Sequence, residues 1–209
     1  QGKESQNLVN LWIGDGIGAG IFLNGSLIRG VSASAGEIGY AELGFFIKDG
    51  LEFPLLYNNQ KTLSDILSNR SLIDAARKAL QNGYRCGLKE EKLTPEYIMQ
   101  SAEEKDPLGM ALIKEYGALI GILCINLINT LNVELLIING PVLAESELLL
   151  GTIKEKVQKD LLTAPATAVR IVLGALKEQG VVLGATGLVL EDLFYQDKMN
   201  LQKYRSIFK

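Results

Sequence analysis

The rhythm of apolar and polar positions changes partway along the chain. Residues 7–13 carry Leu8, Val9, Leu11, Trp12 and Ile13 in a nearly continuous apolar run. Such a run suits a strand covered on both faces. Residues 18–23 and 26–29 read as a second and a third strand, separated by Asn24-Gly25. A type I′ turn needs positive φ at both central residues, and Asn-Gly meets that need. The chain therefore opens with an antiparallel meander. Residues 41–60 hold no clear period. Gly44, Gly50 and Pro54 punctuate them, and strand fragments and loop are expected there.

From residue 62 the spacing becomes helical. Residues 62–67 and 71–81 read as helices, the second with Ile73, Ala76 and Leu80 on one face and Gly83 as its stop. Thr94-Pro95 supplies an N-cap and a first-turn proline for a helix reaching about residue 102. Lys105-Asp106-Pro107 opens a longer helix to about residue 131. It is apolar nearly all round from 118 to 131, which marks the central buried helix. A strand at 134–138, ending at Asn139-Gly140-Pro141, precedes a helix at 144–161. A last strand at 168–173 and a helix at 181–194, rich in Gly184, Ala185 and Gly187, complete the pattern. Alternating strands and helices imply parallel pairing in this half, so the class is α/β. Residues 199–209 form a polar tail with room for a short helix.

Candidate chemistry concentrates near the start. Trp12-Ile13-Gly14-Asp15-Gly16-Ile17-Gly18-Ala19-Gly20 sets four glycines at alternate positions between apolar residues. Glycine allows close approach of a ligand to the backbone. A loop of this kind either presents N–H groups to an anion such as phosphate or is a plain tight turn. A second cluster, Ala35-Gly36-Glu37-Ile38-Gly39-Tyr40, follows the hairpin.

The order Gly-Asp-Gly-Ile-Gly-Ala-Gly, Asn24-Gly25, Arg29-Gly30 and Ala-Gly-Glu-Ile-Gly resembles the second half of ROK family proteins, which comprise repressors, uncharacterised frames and sugar kinases. The likeness continues through Lys105-Asp106-Pro107, Asn126-Leu127-Ile128-Asn129-Thr130-Leu131-Asn132, Leu136-Ile137-Ile138-Asn139-Gly140 and Leu183-Gly184-Ala185. It implies a ribonuclease-H-like lobe of the actin-like ATPase superfamily. The expected form is a three-strand antiparallel meander followed by parallel strand–helix units, over residues 1–209. It also implies an upstream N-terminal lobe and a winged helix-turn-helix, absent from this chain, which begins at Gln1 with no visible signal peptide.

The resemblance implies roles residue by residue. Gly14, Asp15, Gly16 and Gly18 correspond to the family's phosphate loop, and Asp15 stands where the kinases carry Thr. Two like charges about 4 Å apart repel by roughly 1 kcal/mol in water and about 4 at an effective dielectric near 20. Bound Mg²⁺ would reverse that sign. Asp15 is alternatively a turn residue, and either reading counts against ATP use. Glu37 corresponds to a glutamate that contacts sugar hydroxyls, a carboxylate being a natural acceptor for them. It could equally be a solvated or helix-capping loop glutamate. Tyr40 replaces a histidine that binds both zinc and sugar, and its ring could still stack on a sugar. The cysteine-rich zinc segment expected after it has no counterpart, since no cysteine lies between Tyr40 and Thr62. Packing of Phe45, Phe46, Phe53 and Tyr57 is expected to order that loop instead. Asn139-Gly140 stands at the family's adenosine segment and reads as a turn. The family's catalytic aspartate lies in the other lobe, so no catalytic residue is expected here.

Composition narrows the field further. The 209 residues suffice for one good-sized domain. There is no histidine, which removes Ser-His-Asp triads, imidazole bases and His-ligated metal. Net charge −3 gives no long-range pull toward nucleic acid. Cys86 and Cys124 are too few for a disulfide framework and suit a reducing, cytoplasmic compartment. No membrane span, metal or cofactor is expected. The function expected is the sugar-responsive, oligomerising lobe of a ROK transcriptional regulator, without enzyme activity. Its partners would be a sugar or sugar derivative, further copies of itself as a dimer or tetramer, and DNA through the upstream domain rather than this chain. The alternative is the C-terminal lobe of an ATP-dependent, glucokinase-like ROK sugar kinase.

Overall fold

The computed structural model describes residues 2–42, 53–57, 60–141, 146–161, 169–176 and 179–195. The chain divides into two units, 1–175 and 176–209. The first holds β1 (Leu8–Ile13), β2 (Ile17–Leu23), β3 (Ser26–Leu27), α1 (Leu63–Leu67), α2 (Asn69–Gln81), α3 (Pro95–Glu103), α4 (Pro107–Leu131), β4 (Leu135–Asn139), α5 (Glu147–Asp160) and β5 (Arg170–Leu173). The second holds α6 (Gln179–Tyr195).

The five strands form one sheet in the order β3-β2-β1-β4-β5. β1 pairs antiparallel with β2, and β2 with β3. β1 pairs parallel with β4, and β4 with β5. This is the meander-then-parallel arrangement expected of a ribonuclease-H-like lobe. Asn24 and Gly25 adopt φ of 53° and 73°, so both central residues of the first hairpin are left-handed as the turn demands. The third strand is shorter than its sequence suggested, ending at Leu27 rather than residue 29. Beyond it Gly30 turns into the left-handed region, and the Arg29 carbonyl bonds the Ala35 N–H at 3.1 Å instead of continuing a ladder.

The core lies on one face of the sheet within residues 1–175. Val9, Leu11 and Ile13 are buried at alternate positions, whereas Asn10 between them is exposed. Strand period two therefore rules β1, despite its nearly continuous apolar sequence. One cluster of buried side chains joins these residues and Leu136 and Ile138 to α1–α5. α4 runs through its middle. It is long and apolar enough to span a membrane, yet its apolar positions are mostly buried inside this unit. Cys124 is fully buried in it, and burial pushes its thiol up to about 12. Asp106 caps α4 by accepting from the N–H groups of Leu108 and Gly109, both at 3.0 Å. Phe53 is buried and Tyr57 packs against the core, in keeping with half of the aromatic cluster expected there. Phe45, Phe46, Ala144, Ala168 and residues 199–209 lie outside the described residues.

Helix α1 is short but tightly started. The Thr62 hydroxyl accepts from Asp65 N–H at 3.3 Å, and the Asp65 carboxylate accepts from Thr62 N–H at 3.0 Å, a reciprocal capping box. These bonds favour the ionised form and hold the Asp65 carboxyl below its ordinary value of 3.8. Its folded pKa is the lower one, so its contribution to stability is complete above the unfolded value and is lost as pH falls through the folded value. Denaturant unfolding across the acid range will show this loss in the wild type, and Asp65→Asn will remove that part of the acid slope.

Candidate functional site

The C-terminal ends of β1 and β4 lie side by side, Trp12 opposite Asn139. In parallel α/β sheets ligands gather at this end, because the loops leaving the strands open there. The loop leaving β1 is Gly14-Asp15-Gly16, closed by the Ile13–Ile17 pair and by a 3.0 Å bond from Gly14 N–H to the Gly16 carbonyl. Gly14 is buried, and its carbonyl accepts from Asn69 N–H at 3.0 Å, so the first residue of α2 holds the loop in place. Asp15 and Gly16 are exposed at its tip.

The glycines here serve proximity rather than unusual backbone angles. Gly14, Gly16 and Gly18 are not among the left-handed residues. A methyl group on Gly16 would meet nothing within 4 Å, and one on Gly18 nothing nearer than 3.9 Å. Their surface is open to a ligand. Gly36 and Gly39 are different. Gly36 has φ +93°, and a Cβ there would collide with the Ala19 carbonyl of β2. A Cβ on Gly39 would collide with the Ser64 hydroxyl and lie 2.6 Å from the Ile17 carbonyl. Ala19 N–H donates to the Gly36 carbonyl at 2.8 Å. The second glycine cluster thus lies directly on the backbone of β2, and the short 3-10 turn Ile38–Tyr40 follows from it. Glu37 and Tyr40 project from this turn, both exposed, Tyr40 by 76%.

Two cavities open beside the β1–β2 loop, and Asp15 lines both. The larger, about 660 Å³, is bounded by Leu55 and Leu56 and by the faces of α1 and α2. Its polar lining includes Gln60, Ser64, Ser68 and Ser71. Arg70 and Lys78 face three carboxylates in it, those of Asp15, Asp65 and Asp74. The second, about 470 Å³, continues past Arg70 and Asp74 to Arg77 and Glu96. Asp74 already engages the cations, with Arg77 at 2.7 Å and Arg70 at 3.7 Å. Such a lining offers hydroxyl-rich ligands many donors and acceptors but little surplus positive charge for a polyphosphate. Glu37 and Tyr40 line neither cavity. The structure thus gathers Gly14, Asp15, Gly16 and Gly18 in one loop and strand, and sets Glu37 and Tyr40 apart from the cavities on the turn bonded to that strand. The sequence reading missed the α2 wall, where Arg70, Asp74 and Lys78 recur at helical spacing and could have been read as one face.

Asn139 is committed to the sheet rather than to a loop. Its amide donates to Asn10 Oδ1 at 2.5 Å, and its own oxygen occupies the space above Gly174 that a Cβ would fill. Zinc does not fit the residues present. The chain has no histidine, Tyr40 stands at the expected ligand position, and Cys124 is sealed in α4. Among the described residues no group of three His, Cys, Asp or Glu side chains is placed to hold a metal.

The sequence profile of the ROK family matches residues 1–192. The xylose repressor of Caldicellulosiruptor bescii is 30% identical over 196 residues, which are 92% of this chain and 48% of that protein. The glucokinase of Halalkalibacterium halodurans is 25% identical over 204 residues, 95% of this chain and 61% of the enzyme. Among solved structures, a ROK family glucokinase from Streptomyces griseus in complex with glucose and AMPPNP matches in fold. Its TM-score is 0.74 at 21% identity, over 90% of this chain and 62% of that one. The chain thus spans about half the length of the repressor and about three fifths of the kinases.

The two kinds of glycine separate experimentally. Gly36→Ala places a side chain at positive φ against a strand carbonyl and will cost about 1–3 kcal/mol or more in denaturant unfolding. Gly18→Ala, with open space at its Cβ, will unfold within about 1 kcal/mol of the wild type, the difference in strand propensity being small.

Proposed function

The chain belongs to the ROK family, and from that premise we propose that it is the effector-binding lobe of a sugar-responsive transcriptional regulator. A sugar or sugar derivative binds at the β1–β2 loop, with Glu37 accepting hydrogen bonds from its hydroxyls and Tyr40 offering a ring face. The observation that carries this reading is Asp15: a carboxylate at the tip of the loop, lining both cavities, where a kinase would receive phosphate. The three carboxylates and two cations of the larger cavity count against a polyphosphate there, while Glu37 and Tyr40 stand outside that cavity on the neighbouring turn. The mechanism is a population shift. The sugar binds one arrangement of the whole protein better than another, and that difference alters DNA affinity elsewhere in the molecule. DNA contact belongs to an upstream domain, and assembly into dimers or tetramers accompanies it.

A second reading is a sugar kinase using ATP·Mg²⁺, favoured by the sequence match to a glucokinase over 95% of this chain. Mg²⁺ beside Asp15 would turn the repulsion into an attraction.

Calorimetric titration of the full-length protein with a panel of monosaccharides, and separately with ATP·Mg²⁺, distinguishes the two. The regulator reading predicts sugar binding that Glu37→Ala weakens at least tenfold, and no heat from ATP·Mg²⁺. Sugar-stimulated ATP binding in the wild type would establish the kinase instead.

A further inference from the structure

The segment 53–57 walls the larger cavity through Leu55 and Leu56, and it is built as a single helical turn. Tyr57 N–H donates to the Phe53 carbonyl at 2.8 Å, which closes the turn. A helical turn leaves its first N–H groups without partners inside the turn. Pro54 has no N–H to satisfy, so the orphan donors are those of Leu55 and Leu56. Both are taken by one side chain, Glu115, which reaches them from the middle of α4. Leu55 N–H lies 3.1 Å and Leu56 N–H 3.0 Å from the same oxygen, Oε2, and Leu55 is 3.3 Å from Oε1. The Gln60 amide donates to the Leu56 carbonyl at 2.8 Å on the other side of the turn. Phe53 and Leu56 are 2% and 1% exposed, so the turn is also seated in the core.

This turn falls in the stretch after Tyr40, where the resemblance leads one to expect a cysteine-rich zinc loop and where the residues present cannot hold zinc. We infer that Glu115 is a positioning residue that replaces the metal: its carboxylate, accepting both orphan N–H groups from α4, holds the cavity wall at Leu55 and Leu56 in place. The Glu115 side chain lines neither cavity. It acts through the backbone it caps, and α4 can carry the load because the helix around it is buried. Burial raises the Glu115 carboxyl above its ordinary value, while the two N–H groups work in the opposite direction. A half-buried carboxylate meets that cost only where donors satisfy it, and here the Leu55 and Leu56 N–H groups do so. The inference concerns the wall itself and stands whether the ligand of the cavity is a sugar or a nucleotide.

Hydrogen–deuterium exchange of the Leu55 and Leu56 amides in the full-length protein tests this without any ligand. The wild type will show protection at both amides, unchanged by EDTA. Glu115→Gln will keep it, because one carbonyl oxygen at the Oε2 position serves both donors. Glu115→Met, of similar length but with no oxygen acceptor, will lose tenfold or more at these two amides while amides of α3 stay protected. Glu115→Asp, one methylene short, gives the same test if the Met variant does not fold, with protection reduced at Leu55 and Leu56 alone. Unchanged exchange in the folded Met or Asp variant would overturn the inference. So would loss of wild-type protection on adding EDTA that zinc restores.

Discussion

Everything near the β1–β2 loop depends on the burial of α4. Its apolar sides contribute to the core shared with β1, β4 and the other helices, so its position is set by many contacts at once. Two consecutive residues on it then reach outward. The Tyr116 hydroxyl, in a fully buried side chain, donates to the Leu67 carbonyl at the end of α1 at 2.7 Å. Glu115 caps the turn at 53–57. One rigid helix thereby fixes the two segments that precede and bound the cavity. A buried hydrogen bond to a backbone group contributes only about 1 kcal/mol net, but losing one partner strands the other. These bonds therefore specify where the segments sit more than they stabilise the fold.

A second constraint acts between the glycines and β2. Gly36 and Gly39 have no room for a Cβ against the strand's carbonyls, so Glu37 and Tyr40 are presented from a turn that rests on the sheet. Gly16 and Gly18 leave open surface instead. One residue type thus does two jobs within about twenty-five residues: close docking of backbone on backbone, and clear access for a ligand. Asp15 stands at the tip of the loop and adds a negative charge to the lining of both cavities.

Local signals carried much of this into the sequence. Asn24-Gly25 revealed its hairpin because the turn's φ requirement is met by few residue pairs. Thr94-Pro95 and Asp106-Pro107 revealed helix starts because caps are chemical and nearby in sequence. The all-round apolarity of 118–131 revealed a buried helix because solvent would not tolerate it. What stayed hidden was long-range. Glu115 meets backbone groups about sixty residues away, and no periodicity announces such a partner. The collision surfaces at Gly36 and Gly39 exist only once β2 is beside them. The cavity wall on α2 was written in its helical spacing, but which face pointed inward depended on where α4 lay. Asp15 and Glu37 were singled out through family likeness, and the structure adds the surroundings that likeness cannot supply.

The central claim is that this site favours a neutral, hydroxyl-rich ligand over a polyphosphate, and that Asp15 is the reason. Equilibrium binding of ATP·Mg²⁺ to the full-length wild type beside Asp15→Thr tests it most directly. The account predicts that the Thr variant binds tenfold or more tightly than the wild type, the size expected from removing about 1.4 kcal/mol of like-charge repulsion. Equal or tighter binding by the wild type would contradict it and return Asp15 to the role of a metal-bridged kinase residue.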